Sequence, residues 1–318
     1  MEIENKNILV TGGAGFIGSN IVEFLLTETK VKNVVVIDNL STGFQSNVDL
    51  FKDYKNYKFI KGDISDIDTC RKACENIDII CAQAALGSVP RSMNKPLDSC
   101  KANIMGFMTL LQVAKEKNIN RIVYASSSSV FGTNNEKKKR DGELGEPLSV
   151  YAVTKLCNEK IGTVFSNAFG LEIIGLRYFN VFGKRQSFNT GYPAVIPIFN
   201  NQTLNNLDIT IFGDGTNSRD FTYIKNVINA NILAMTTKNK ECFGKIFNIG
   251  CDHSTTVLQL ALKIKYLNNS NSNIVFGKPR LGDALHSHAD ITLSKKLLNY
   301  EPKYTLNDGL NELFNFNS

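Results

Sequence analysis

Long apolar runs are missing from this 318-residue sequence, and no stretch approaches the length of a membrane span. Its first residues, MEIENKNILV, carry acids and lead into a strand pattern, unlike the basic and then apolar build of a signal peptide. With 42% hydrophobic and 21% charged residues, the composition is that of an ordinary globular protein. We therefore expect a soluble, cytoplasmic protein, long enough to form two lobes.

Patterns of metal and disulfide sites are also missing. The three histidines, His253, His286 and His288, match no spacing of metal ligands. The cysteines are odd in number and form no CxxC pair, so we expect no metal and no disulfide. Reduced packing residues are the interpretation we favour for all seven: Cys70, Cys74, Cys81, Cys100, Cys157, Cys242 and Cys251.

The net charge of +6 is spread along the chain, apart from one basic run, Lys137 to Arg140, which is followed by Asp141, Gly142 and Glu143. Such a run predicts a solvated loop. A nucleic-acid site would interleave aromatic residues with the basic ones, and none are present there. We expect neither nucleic acid nor membrane as a partner.

The periodicity predicts an α/β fold with a doubly wound parallel sheet, because short β-rich runs alternate with amphipathic helical stretches. Strands are predicted at 7–12, 33–38, 57–63, 77–85, 121–127 and 171–180, and helices at 17–29, 66–75, 97–118 and 150–169. After residue 181 the alternation breaks, although 218–235 fits a strand and a helix, 245–250 a strand and 255–266 a helix. We predict a Rossmann-type domain over 1–180 and a smaller α/β substrate lobe over 181–318, with parts of 220–252 packed back onto the first domain.

A glycine-rich turn follows the first predicted strand. In NILVTGGAGFIGSN, Gly12, Gly15 and Gly18 precede or open the first helix, and Gly13 completes a GxGxxG pattern. Glycine at these positions permits a tight turn, close approach of the backbone to a pyrophosphate, and packing of helix against strand. The helix N-terminus adds oriented N–H donors.

The choice of dinucleotide depends on the end of the second strand. Asp38 stands 20 residues after Gly18, where an acid binds ribose hydroxyls and repels a 2′-phosphate. Asn39 and Leu40 offer no arginine to compensate, which favours NAD over NADP. Asp63, after the third strand, fits either an adenine contact or a cap at the strand end.

A tyrosine and a lysine form the candidate acid/base pair. In SVYAVTK, Tyr151 and Lys155 are four residues apart at the start of a helix and so share one face. A free tyrosine has a pKa near 10, too high for a base at neutral pH. A lysine cation and an oxidised nicotinamide nearby would favour the phenolate and make Tyr151 a general acid/base.

With TGGAGFIG, Asp38, a serine near a strand end and YxxxK, the chain resembles the extended short-chain dehydrogenase/reductase family over essentially its whole length. In that family's nucleotide-sugar enzymes a catalytic Ser or Thr stands five residues before the glycine of a (V)YG ending. Counting back from Gly132 in SSSSVFG identifies Ser127, while Ser128 and Ser129 either face the hexose or fill the strand end. Phe131 departs from the family's usual tyrosine.

The neighbouring serines bear on the reaction class. In this family, 4,6-dehydratases carry Asp and Glu directly after the catalytic residue, and uronate decarboxylases tend to carry Glu. Ser128 and Ser129 in their place favour an epimerase. The resemblance then implies that Tyr151 deprotonates the sugar's 4-hydroxyl as C4 passes hydride to NAD, and that the 4-keto sugar turns and regains hydride on its other face. NAD would stay tightly bound through the cycle.

The resemblance also implies a set of NAD-binding residues: Gly12, Gly15, Phe16, Ile17, Gly18, Asp38, Asn39, Ser41, Thr42, Gly43, Asp63, Ile64, Gln83, Ala84, Ala85, Asn103, Tyr151, Lys155 and Tyr178.

For the substrate it implies Asn180 on the sugar diphosphate, Thr210 and Phe212 near the uracil, and Arg219 on a phosphate. Arg280 would be a second phosphate clamp, since guanidiniums form bidentate bonds to such oxygens, and surface salt bridges are the alternative for both arginines. The remaining expected substrate contacts are Asp283 on the ribose, Gly87, Ser88, Arg91, Gln186, Ala194 and Val195.

Two features bear on the sugar. The segment QAALGSVPRS, residues 83–92, closely resembles a loop of bacterial epimerases that prefer N-acetylated hexoses. Ser287 falls at the family's gatekeeper position, where a bulky Tyr restricts some enzymes to glucose and galactose. We expect interconversion of UDP-GlcNAc and UDP-GalNAc, with UDP-glucose and UDP-galactose as further substrates, for surface polysaccharide synthesis.

Other functions stay open. One is epimerisation of a UDP-uronate, in which Arg91 would meet the carboxylate. Less favoured are a 4,6-dehydratase, a decarboxylase and a non-catalytic NAD-binding protein built on this fold. By resemblance, the helices predicted at 97–118 and 150–169 pair across a homodimer.

Overall fold

The computed structural model describes residues 3–188, 194–279 and 285–315. Over these ranges the chain forms fifteen strands: β1 (Asn7–Thr11), β2 (Asn33–Asp38), β3 (Tyr57–Lys61), β4 (Ile79–Ala82), β5 (Arg121–Ser127), β6 (Lys138–Lys139), β7 (Glu172–Tyr178), β8 (Val181–Phe182), β9 (Ile209–Phe212), β10 (Ser218–Arg219), β11 (Thr222–Tyr223), β12 (Ile246–Ile249), β13 (Thr255–Thr256), β14 (Ile274–Gly277) and β15 (His286–Ala289).

The same ranges contain twelve α-helices: α1 (Phe16–Thr27), α2 (Gln45–Asp49), α3 (Ile67–Ala73), α4 (Val89–Asn94), α5 (Pro96–Cys100), α6 (Gly106–Glu116), α7 (Val150–Phe169), α8 (Val195–Leu204), α9 (Ile224–Thr236), α10 (Val257–Leu267), α11 (Thr292–Leu298) and α12 (Leu306–Asn315). None of the helices described is both long and apolar enough to cross a membrane.

A seven-stranded parallel sheet organises the molecule, in the order β12-β7-β5-β4-β1-β2-β3. The order reverses between β1 and β4, the switch point at which α/β folds bind ligands. The predicted Rossmann-type fold class is confirmed.

Both faces of this sheet are buried, as its alternating side chains require. Ile8 and Val10 of β1 point into a core shared with α1 and α9, while Leu9 points into a second core shared with α3 and α6. The helices therefore cover the sheet as two layers, and the strand ends remain open for ligands.

The C-terminal half of the chain contributes to this sheet directly, because β12 pairs with β7 and α9 packs on the core of the β1 side. A second sheet, of four strands, has the order β13-β10-β15-β6, and β11–β8 and β14–β9 form separate pairs. The division into two domains at residue 180 stays a prediction.

The prediction of a solvated loop for the basic run is wrong at its centre. Lys138 and Lys139 form β6 beside β15. Lys139 is only 4% exposed, and its ammonium group donates to the backbone oxygens of Asn134 and Glu136. These carbonyls replace water around the charge, which offsets the free-energy cost of burying the lysine.

Two helical predictions also differ from the structure. The stretch 97–118 is interrupted by a π turn, Lys101–Met105, between α5 and α6. Its Asn103 uses its side chain to bond to other segments, which is typical of such turns at functional sites. Helix α8, after residue 181, was not predicted. Its Pro197 lies in the first turn, where the backbone N–H has no partner within the helix and its absence does not destabilise it.

Candidate active site

A cavity of about 380 Å³ opens at the carboxyl ends of β1, β2, β4 and β5, beside the N-terminus of α1. Most residues predicted to bind NAD line it, although Gly43 and Asn103 do not count among the lining residues. Gly87, Ser88 and Arg91 of the predicted substrate set also line it.

The turn between β1 and α1 can be built only with glycine at two positions. Gly12 has φ +70°, and an added Cβ would lie 2.7 Å from the backbone of Ala84. A Cβ on Gly18 would collide with the carbonyl of Gly12, so α1 packs directly on the turn. Gly15 is the N-cap and offers no side chain to cap the helix, which leaves first-turn N–H donors to face the cavity. This arrangement fits a pyrophosphate.

Asp38 ends β2 at the rim of the same cavity. Its carboxylate accepts hydrogen bonds from the backbone N–H groups of Ala14, at 3.0 Å, and Leu40, at 2.8 Å. Burial raises its pKa above the ordinary value, and these two bonds oppose that shift. The acid therefore joins β2 to the glycine turn and keeps its position beside the dinucleotide cavity.

Asp63 is a cap at the end of its strand, and its contact with adenine stays a prediction. It lines the cavity, and it also accepts bonds from Ser65 N and from the side chain of Asn39, each at 2.8 Å. Burial works to raise its pKa, but the hydrogen bonds from Ser65 and Asn39 outweigh that effect and lower it. Asp63 is thus an ionised cap that orients Asn39, which also lines the cavity.

Tyr151, Lys155 and Ser127 lie together where β5 meets α7. The Lys155 ammonium donates to the carbonyl of Ala125 at 2.7 Å. Burial lowers its pKa to about 8, and the charge of Glu159 opposes the shift. Ser127 hydrogen-bonds to Tyr151 and also accepts from Ser129 N at 3.2 Å.

The tyrosine's pKa lies above its ordinary value, because burial outweighs the hydrogen bond from Ser127. In the protein alone Tyr151 is therefore a neutral phenol. The phenolate expected from the sequence needs the additional positive charge that oxidised NAD brings.

A second cavity, of about 530 Å³, adjoins the first, since Gln186 and Ala194 line both. Five more predicted substrate residues line it: Asn180, Val195, Thr210, Phe212 and Arg219. Ser287 of β15 pairs with Arg219 of β10, which places it next to this cavity. Ser127, Ser128 and Ser129 line neither cavity, and the latter two begin a 3-10 turn. Arg280 and Asp283 lie outside the described residues.

Asn103 supports the site from outside the cavity. Its amide oxygen accepts from Leu86 N at 2.8 Å, and its amide nitrogen donates to Leu86 O and to Thr154 Oγ1. The side chain thereby fixes the loop after β4 against α7. Its predicted contact with NAD stays a prediction.

Sequence reasoning missed several supporting residues. Asn231 of α9 bonds to Gln83 and Tyr178, which line the cavity. Arg185 lines the cavity and bonds to Ser19 of α1. Arg185 directly follows the RYFNVFGK segment and could have been found from that position, whereas nothing around Asn231 distinguishes it from an ordinary helical residue.

Among the described residues, no cluster of three or more His, Cys, Asp and Glu side chains could hold a metal ion. The histidines of β15 have polar partners instead: His286 bonds to Ser218 and His288 to Asp252. Four of the seven free cysteines are buried.

Comparison with known proteins identifies the family of the chain from most of its length. The family model described as NAD dependent epimerase/dehydratase family matches residues 8–250. A putative UDP-glucose 4-epimerase of Methanocaldococcus jannaschii is 33% identical, over 97% of this chain and 97% of that protein.

Two solved structures are closely similar. A UDP-N-acetylglucosamine 4-epimerase from Methanobrevibacter ruminantium M1, in complex with UDP-N-acetylmuramic acid, superposes with a TM-score of 0.92 at 36% identity, covering 98% of each chain. A UDP-glucuronic acid 4-epimerase from Bacillus cereus, with UDP-glucuronic acid and NAD, gives 0.89 at 32% identity over 98% of each chain.

Proposed function

Since the chain belongs to the NAD-dependent epimerase/dehydratase family, we propose that it is a UDP-sugar 4-epimerase that interconverts UDP-GlcNAc and UDP-GalNAc. The observation that carries the proposal is the grouping of Ser127, Tyr151 and Lys155 beside the dinucleotide cavity. Ser128 and Ser129 follow where an elimination would need an acid and a base. A single acid/base residue suffices for epimerisation.

The residues divide the work of the proposed reaction. NAD held in the first cavity would supply the acceptor and donor of the C4 hydride. Tyr151 removes the proton of the 4-hydroxyl and gives it back after the sugar has turned. Lys155, held on the carbonyl of Ala125, stabilises the negative charge on the tyrosine oxygen. Ser127 directs its hydroxyl to Tyr151 and to the reacting oxygen.

The second cavity supports a nucleoside diphosphate as the fixed part of the substrate. We assign Thr210 and Phe212 to the base, and Asn180, Arg219 and Arg280 to the diphosphate, with Asp283 on the ribose. The cavity continues into the first one through Gln186 and Ala194, so a hexose linked to the diphosphate would extend toward Tyr151.

The first test uses the purified protein without added cofactor. Incubation with UDP-GlcNAc, followed by NMR of the sugar anomeric protons, should show UDP-GalNAc forming, because the proposed cycle retains NAD. Tyr151→Phe should keep its fold and its NAD but lose at least about a hundredfold in turnover, since it lacks the acid/base oxygen. Full activity of Tyr151→Phe, or no conversion even with added NAD, would contradict the proposal.

Ser287 offers a test of sugar preference. Its small side chain leaves room beside Arg219 for an acetamido group, so Ser287→Tyr should lower turnover of UDP-GlcNAc at least about tenfold and spare UDP-glucose. Ser287→Ala is the matched control and should keep both activities. Undiminished turnover of UDP-GlcNAc by Ser287→Tyr would remove Ser287 from the specificity site.

A UDP-uronate epimerase is the second candidate, because Arg91 lines the first cavity, where its guanidinium could meet a sugar carboxylate. The B. cereus neighbour, which holds UDP-glucuronic acid, supports including this candidate. The same NMR assay with UDP-glucuronic acid and with the uronate of UDP-GlcNAc compares the candidates directly. Faster conversion of either uronate would replace the N-acetylhexosamine assignment.

The proposal includes a homodimer. Large apolar side chains are exposed along α4, α5, α7 and the π turn, among them Met93, Leu97, Met105, Val153 and Val164. A monomeric protein rarely exposes so many apolar side chains on neighbouring helices, which supports a second copy of this chain as the partner.

A further inference from the structure

A group of charged side chains is buried just below the catalytic residues. Glu159 lies one helical turn beyond Lys155 on α7 and is only 3% exposed. Its Oε1 accepts from Ser126 Oγ at 2.6 Å and from Arg177 Nε at 2.8 Å, while Oε2 accepts from Arg177 Nη2 at 2.9 Å. The carboxylate therefore accepts from the arginine in a forked pair.

Arg177 is shared between two acids. Its Nη1 lies 3.3 Å from the Oδ1 atom of Asp141, in the loop that precedes α7. With Lys155, the group contains two cations and two carboxyl groups, so the buried charges balance when all four are ionised. Burial raises the pKa of Asp141 to about 7, and Arg177 opposes that shift.

This group joins the three elements that carry the active site. Ser126 and Arg177 are direct partners in the pairing of β5 with β7, and the next pair is Ser127 with Tyr178. Lys155 bonds to Ala125, the residue before Ser126. Ser126 and Arg177 are thus one residue away from Ser127 and Tyr178, and Glu159 is one helical turn away from Lys155.

We propose that Glu159 is a positioning residue, which fixes α7 on the end of β5 and supplies the negative charge that keeps Lys155 in its ammonium form. The expected loss of turnover rests on the proposed function, because a neutral Lys155 would no longer stabilise the negative charge on Tyr151 during the reaction. The effect of Glu159 on the protonation of Lys155 can be measured without substrate.

The surroundings of Lys155 identify Glu159 as the group with the required sign. Glu159 is the charge that acts on Lys155, whose ammonium also lies over the Tyr151 ring. The other titratable or charged groups of this cluster, Tyr124 on β5, Arg177 on β7 and Asp141, interact with Glu159. Both tyrosines have pKa values above their ordinary range and are neutral, because they are buried. Arg177 carries the wrong sign to keep a lysine protonated, and Asp141 faces Arg177, with Asp290 beyond it.

Energetically, burial and Glu159 act on Lys155 in opposite directions. Burial lowers its pKa to about 8, and Glu159 raises it. Removing the carboxylate should therefore lower the pKa further, so that the lysine loses its proton within the physiological range.

The decisive variant is Glu159→Gln, which keeps the size and hydrogen-bonding ability of the side chain but not its charge. In protein labelled with [ε-13C]lysine, the Lys155 resonance is the one missing from Lys155→Arg, and its titration should move down by about one pH unit. In turnover, kcat should fall roughly tenfold or more with KM little changed, and the alkaline limb of the kcat profile should move to lower pH.

Glu172→Gln is a matched control in the same pair of strands. Glu172 of β7 bonds to buried Arg121 of β5 at 2.7 Å, at the opposite end of those strands. It also removes a carboxylate from an arginine, but far from Lys155. We expect its Lys155 titration to equal that of the wild type and its kcat to stay within about twofold.

The wild-type titration covers the case in which Glu159→Gln fails to fold, because the Lys155 resonance should then be that of an ammonium group at pH 7. An unchanged titration in the folded Glu159→Gln, or a neutral Lys155 amine in the wild type at pH 7, overturns the proposal. So does an equal shift in Glu172→Gln. A protein that fails to convert UDP-sugars yet shows the expected shift refutes the proposed function only.

Discussion

At the scale of single residues, the cofactor cavity depends on Asn231, a fully buried side chain of α9. Its amide oxygen accepts from Gln83 at 3.1 Å, and its amide nitrogen donates to Tyr178 at 2.9 Å and to the carbonyl of Val227. Gln83 and Tyr178 come from the β4 and β7 sides of the cavity, and the Tyr178 hydroxyl also donates directly to Gln83 Oε1 at 3.1 Å. Asn231 thereby helps to orient two lining residues of the cavity.

Asn231→Leu tests this role, because leucine has a similar size but cannot bond to Gln83 or Tyr178. We expect a loss of about 1–3 kcal/mol in the free energy of unfolding, measured with urea, and less NAD released on denaturation. Asn229→Leu, a half-buried position on the same helix, should change neither quantity appreciably. Equal NAD content in the two variants would show that Asn231 serves stability alone.

At the scale of elements, the contact between α1 and the glycine turn decides whether the cavity exists. The helix can approach the turn only because Gly18 has no side chain against the Gly12 carbonyl. The same approach directs the uncapped N–H groups of α1 toward the cavity. Close packing and anion binding therefore depend on one backbone geometry.

Gly18→Ala should push α1 away from the turn. The expected result is a loss of about 1–3 kcal/mol in unfolding free energy together with most of the bound NAD, measured by urea unfolding and by the NAD content of the purified protein. Gly277→Ala is the control, since an added Cβ there would meet ordinary contacts with Phe212 and Thr210, the nearest at 3.4 Å. Retention of NAD by Gly18→Ala would contradict the inferred cradle.

At the scale of the whole molecule, the exposed apolar side chains of α4, α5 and α7 predict assembly. Leu97 of α5 is 82% exposed and lies in sequence between the cavity loop and the π turn that carries Asn103. A second copy of the chain covering this region would pack against the π turn, whose Asn103 bonds to Leu86 of the cavity loop.

Light scattering during gel filtration should give twice the chain mass of 35.3 kDa. Leu97→Arg places a charge within the apolar surface and should shift the protein toward the monomer mass. Leu262→Arg, on an exposed position of α10, is the control and should leave the mass unchanged. A wild-type protein of monomer mass would contradict the dimer.

The sequence determined the parts that depend on local pattern. Strand and helix periodicity predicted the parallel sheet, since its buried strands are short apolar runs and its helices repeat every three to four residues. The glycine turn and the Tyr151–Lys155 spacing identified a dinucleotide site, because those geometries require particular residues at fixed separations. Helix α7 matches its predicted range of 150–169 residue for residue.

Only the tertiary structure decided how distant segments combine. Lys139 was predicted to be solvated, yet it is buried by carbonyls of a turn whose conformation its sequence neighbours do not specify. Asn231 bonds to Gln83, 148 positions away, and Glu159 of α7 pairs with Arg177 on β7. A buried polar residue has no periodicity of its own, and its partners are determined by the packing of the sheet and helices, which pattern alone does not supply.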